Sequence, residues 1–147
     1  WIYDNTELFD NVTIKLGGSL VNKPLSFMST HPDSYPALKS SKLNQEKMKT
    51  LEQIINKRNN YALWPKAKVG GAIKDIKTGD LIVFGTKVHG LDYSHIGIAF
   101  WEGQTLKLLH ASSARKRVVV DTKSLAQYVN TSQSCTGITV LRLTDKR

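Results

Sequence analysis

Apolar residues return every three or four positions from Leu43 onward, at Met48, Leu51, Ile54 and Ile55. That spacing places them on one face and predicts an amphipathic helix over residues 44–58, its stripe turned to the core. Asn44 is a candidate cap, Glu46 suits the first turn, and Asn59-Asn60 ends the helix. Beyond Pro65 the period shortens. Buried or alternating strands are expected at Leu81-Ile82-Val83-Phe84, Ser94 to Trp101, Leu106 to Ala111, Arg117 to Val120 and Gly137 to Leu143. Leu125, Tyr128 and Val129 suggest a short helix between the last two, with Asp121 or Thr122 near its start. Residues 1–40 mix aromatics with Asn, Gly, Ser and Pro, as short strands and surface loops do. A helix followed by consecutive short strands indicates an α+β domain with a largely antiparallel sheet core and packed helices.

Two of those strands carry chemistry. His95 stands near the mouth of one, and His110 near the end of the next, with Glu102-Gly103 between them. A two-residue loop at Glu102-Gly103 would pair Trp101 with Gln104 and set His95 directly opposite His110, on the same face. A three-residue loop would move the register by one and separate the faces. Two histidines so placed can act as a general base and the group that orients it.

Composition narrows the partners. The 147 residues suit one domain over residues 1–147, and a 40% hydrophobic content suits a globular one. A formal net charge of +9 favours anionic partners. The densest basic cluster is only Arg115-Lys116-Arg117, without an aromatic stripe, so nucleic acid is not an expected partner. No apolar run approaches the roughly 20 residues that span a bilayer. No cofactor is expected, and no metal, because His95 and His110 lack a third ligand at convincing spacing. The chain opens on Trp1 with neither an initiator Met nor a signal segment, which suggests a processed or partial product of a longer gene.

The ordered run Gly79-Asp80-Leu81, Ser94-His95-Ile96-Gly97-Ile98 and His110-Ala111-Ser112 resembles the NlpC-type branch of the papain-like cysteine peptidases. A narrower likeness covers nearly the whole chain. Trp1-Ile2-x-Asp4-Asn5, Phe27-Met28-Ser29-x-His31-Pro32-x-x-Tyr35-x-x-Leu38, Gly90-Leu91-Asp92-x-Ser94-His95 and Leu109-His110-Ala111-Ser112-Ser113 are similar to the N-acetylmuramoyl-L-alanine amidase-like family. The closing Gly137-Ile138-x-Val140-x-Arg142-Leu143 fits as well.

The resemblance implies a papain-like fold and extracytoplasmic hydrolysis of amide bonds in bacterial peptidoglycan peptides or muropeptides. His95 takes the position of the general base and His110 that of its orienter. His31, Asp92, Ser112 and Ser113 become candidate substrate-binding residues. The family's nucleophilic cysteine lies upstream, in a segment that should precede Trp1. Cys135, the only cysteine, follows both histidines and is expected to be a loop or buried thiol. On this reading residues 1–147 are the C-terminal portion of an NlpC-like amidase domain, completed by its own N-terminal part and inactive alone. The alternative is a non-catalytic domain that uses its positive charge to hold cell-wall or other anionic polymers.

Overall fold

A computed structural model describes residues 1–70 and 73–144; positions 71–72 and 145–147 of the expected domain lie outside the described residues. In chain order the strands are β1 Phe9–Asn11, β2 Ser19–Leu20, β3 Ala62–Pro65, β4 Leu81–Thr86, β5 Tyr93–Glu102, β6 Thr105–Ser112, β7 Arg117–Ser124 and β8 Cys135–Leu143. The helices are α1 Phe27–Thr30, α2 Pro36–Lys39, α3 Lys42–Arg58 and α4 Leu125–Thr131. The strands form one mixed-length sheet in the order β2-β3-β8-β4-β5-β6-β7, with β1 also on β8, and every pairing is antiparallel. This is the α+β class expected. β4 to β7 run as a meander, and α4 carries the chain back so that β8 pairs the free edge of β4.

Alternation along β5 and β6 divides the two faces of the sheet. Ala99, Leu106 and Leu108 point inward with Ile82, Phe84, Ile138 and Val140, and α4 presses Leu125 and Val129 onto them. His95 and His110 share this inner face. The other face is also apolar but bare: Ile96 is 47% exposed and Val118 68%, with Ile98 and Val120 beside them. Gly97, between His95 and Ala99, makes room for a neighbour. A Cβ there would lie 2.5 Å from Leu108 Cδ1, so a side chain would push β6 away from β5.

The hairpin differs from its expected register. Its loop is Gly103-Gln104, with Glu102 paired to Thr105 and Ile98 to Leu109, a shift of two residues. Gly103 has φ +58 and Gln104 has negative φ, as a II′ loop requires. A loop at Glu102-Gly103 would have asked Glu102 for the left-handed backbone instead. Because the side-chain period is two, the shift preserves the face. His95 and His110 become diagonal rather than direct neighbours.

The α3 stripe is also corrected. Leu43 is 59% and Ile54 43% exposed, while Met48, Leu51 and Ile55 are half-buried. This helix packs on short helices and loops, whose backbone groups need partners. Its inward side therefore carries polar residues. Glu52 Oε1 accepts from the Met28 and Ser29 amides, Asn56 brackets the Leu25 N–H and C=O, and Gln45 donates to Leu38 O. The caps move as well: Ser41 caps α3, accepting from the Asn44 amide, and Asn59 closes it in the left-handed conformation. α4 starts from Ser124 in a capping box with Gln127, and Asp121 lies within β7.

Asp80, at the turn before β4, is 2% exposed. It accepts from the Lys77 amide and from Arg142 Nε and Nη2 at 2.8 and 2.6 Å, pinning the start of β4 to β8. Arg142→Ala would leave a buried carboxylate without its cation. We expect a loss of about 3 kcal/mol, read as a lower denaturant midpoint with an unchanged slope.

Candidate active site

His95 Nε2 lies 2.8 Å from His110 Nδ1, the two rings meeting edge to face at 89°. His110 Nε2 in turn lies 3.3 Å from Asp121 Oδ2. The local sequence explains each position. His95 is the third residue of β5 and rests its ring near Phe84, its register partner on β4, with Tyr128 of α4 stacked beyond it. Tyr128 also sets its edge against His110, with the ring centroids 5.3 Å apart. The capping box and the buried Leu125 and Val129 hold that helix, and so the tyrosine wall, in place.

Burial and electrostatics grade along the row. His110 is buried and His95 half-buried. Desolvation, and then the neighbouring His110, hold the His95 imidazole below its ordinary range, so it stays neutral near neutral pH with a lone pair free to accept a proton. Burial pushes the Asp121 carboxyl up, but the Lys123 amide, the His110 ring and Arg115 outweigh it and keep the group low.

His95 stands where two clefts meet. One, of about 530 Å³, is lined by Trp1, Ile2, Val83, Asp92, Tyr93, Ser94 and Ile96. The other, of about 520 Å³, is hydroxyl-rich and cationic, with Ser112, Ser113, Arg115, Thr122 and Lys123 near His110 and Asp121. Asp92, Ser112 and Ser113 are therefore gathered around the histidine pair. His31 is not. It caps α1, stacks on Phe27 at 4.1 Å and bonds locally to Phe27 O and Thr30 Oγ1.

Cys135 opens β8 in the core and lines neither cleft. Burial pushes its thiol pKa up, and Sγ donates to Gly137 O. A protonated, enclosed thiol is a poor nucleophile. Asp121 and Tyr128 are the site residues that sequence reasoning did not assign. Asp121 left one signal, a carboxylate ending the β-branched run Val118-Val119-Val120 on the strand after His110.

The family model for N-acetylmuramoyl-L-alanine amidase-like proteins matches residues 1–138. Two crystal structures of an N-acetylmuramoyl-L-alanine amidase from Bacteroides uniformis superpose with TM-scores of 0.87 and 0.88, at 36% identity. Each match covers 98% of this chain and 62% of that one. A candidate xylanase from Bacteroides fragilis superposes with a TM-score of 0.78 at 38% identity, over 91% of this chain and 58% of its own. The chain thus spans less than two thirds of the length of these solved structures. A search of curated proteins found no match. By its residues and by its fold, this chain belongs to the N-acetylmuramoyl-L-alanine amidase-like family.

Proposed function

We propose that the chain is part of an NlpC-type, papain-like cysteine amidase or peptidase that hydrolyses amide bonds of peptidoglycan or muropeptides outside the cytoplasm. The observation that carries this reading is the hydrogen-bonded row ending at His95, where two clefts meet. His95 acts as general base and His110 orients it. Asp92, Ser112 and Ser113 contact substrate. A thiol delivers its proton to His95, and the thiolate attacks the amide carbonyl. The tetrahedral intermediate collapses, expelling the amine, which takes the proton back from His95. Water then hydrolyses the thioester, again with His95 as base.

The thiol is proposed to come from polypeptide N-terminal to Trp1. The bare apolar face formed by Ile96, Ile98, Val118 and Val120, on the side of the sheet away from the imidazoles, is a surface on which such a segment could pack. A glycosidase reading finds less support. Sugar cleavage in most families uses a pair of carboxylates. Asp121 is the one carboxylate among the described residues of the cationic cleft, and it is bound to His110.

The test is hydrolysis of N-acetylmuramoyl-L-alanyl peptides by residues 1–147 and by the gene product with any residues that precede Trp1. The longer protein is expected to release the peptide and the shorter one to be inert. His95→Ala is expected to cost roughly 100- to 10,000-fold. Binding without turnover by the longer protein would favour the anionic-polymer alternative. Turnover by residues 1–147 alone would place the nucleophile elsewhere than proposed.

The poise of the base is open to a separate measurement. Its folded pKa lies below the ordinary value of 6.5, so folding disfavours the proton and stability falls as pH drops between the two values. NMR titration should find His95 below 6.5, and His110→Asn should raise it only in part, because burial is the larger cause. An ordinary or raised His95 value would contradict this.

A further inference from the structure

The row of rings begins at Asp121, two residues beyond Val119 on the inner face of β7, where an irregularity starts. β6 and β7 pair His110 with Val119, but the register shifts between Lys107 and Leu109. Three residues of β7, Asp121 to Lys123, lie across from Leu108 alone. Such a bulge re-aims side chains. Here it accompanies a carboxylate reaching the ring diagonally across the ladder. Asp121 Oδ1 accepts from the Lys123 amide at 2.9 Å, which leaves Oδ2 for His110 Nε2.

The proton positions along the row then follow. An ionised carboxylate only accepts, so His110 carries its proton on Nε2 and presents a lone pair at Nδ1. The atom 2.8 Å from that lone pair is His95 Nε2, which must supply the hydrogen. The lone pair of His95 is left on Nδ1. That atom has no hydrogen-bond partner among the described residues, yet it is not a buried unsatisfied atom, so it is open to solvent. Around the pair stand also the Phe84 and Tyr128 rings and, lining the two clefts, Asp92, Ser112, Ser113, Arg115 and Lys123. None of them is in hydrogen-bond contact with the two rings.

We propose that Asp121 is a positioning residue: acting through His110, it fixes the His95 proton on Nε2 and makes Nδ1 the basic nitrogen that faces a nucleophile. The role rests on the reading of His95 as general base. When Nδ1 takes a proton, the His95 Nε2–H bond to His110 becomes charge-assisted and shortens the path to the Asp121 charge. No proton moves to Asp121.

The isosteric variant Asp121→Asn tests this. Its oxygen can keep the Lys123 amide, so its NH2 group faces His110 Nε2 as a donor. His110 must then hold its proton on Nδ1 and donate to His95 Nε2, which places the His95 proton on Nδ1. Long-range ¹H–¹⁵N correlation spectra of residues 1–147, at about pH 8 where imidazoles are neutral, read both tautomers directly. The expected result is Nε2–H on both rings in the parent chain and Nδ1–H on both in Asp121→Asn, with the backbone spectrum otherwise retained. A parent chain carrying Nδ1–H on His95 overturns the inference, even if the variant does not fold. So does a folded variant with unchanged tautomers.

In the gene product with its preceding residues, the same variant should lower kcat by roughly 100-fold or more with little change in KM. The spectra need no turnover. The expected tautomers in a catalytically inert gene product would therefore sink the proposed function and leave the proton arrangement standing.

Discussion

The site depends on the register of one hairpin. Gly103 takes positive φ at the first loop position, and the loop closes in two residues. With the even number of residues that separates His95 from His110 in the sequence, a two-residue loop brings both imidazoles to the inner face. A slip of one residue would send one ring inward and the other to the bare face with Ile96 and Ile98. Gly97 supports the same geometry by letting Leu108 close on β5. From that hairpin the polar row extends diagonally to Asp121 on β7, and Tyr128 walls it from α4.

The surrounding structure exists to keep this row in one place. The Asp80–Arg142 pair ties β4 to β8, and β4 supplies Phe84 under His95. The capping box of α4 fixes the helix that brings Tyr128. These contacts act on orientation, whereas the chemistry of the imidazole comes from burial and from its neighbour. Desolvation alone would only make His95 a weaker base; the hydrogen bond to His110 also decides which nitrogen is free.

Much of this was legible in the residues. The meander, the antiparallel class and the shared face of the two histidines follow from a period of two and a short Gly-containing loop. The loop position did not follow, because two placements of a two-residue turn keep the same parity. The rule that glycine belongs first in a II′ loop separates them. α3 misled for a physical reason: its stripe of Met48, Leu51 and Ile55 is apolar, yet its neighbours are loops whose amides call for Glu52 and Asn56. Asp121 was hidden because a carboxylate near a helix start looks like a cap, and its place diagonal to His110 follows only once the pairing of His110 with Val119 is known.

The central claim is that the imidazoles of His95 and His110 share a hydrogen bond. A ¹⁵N–¹⁵N scalar coupling measured across that bond tests it most directly, since such a coupling passes only through a shared proton. A resolvable coupling between His95 Nε2 and His110 Nδ1 is the predicted result. Its absence, with both rings neutral and the backbone folded, would contradict the register and everything built upon it.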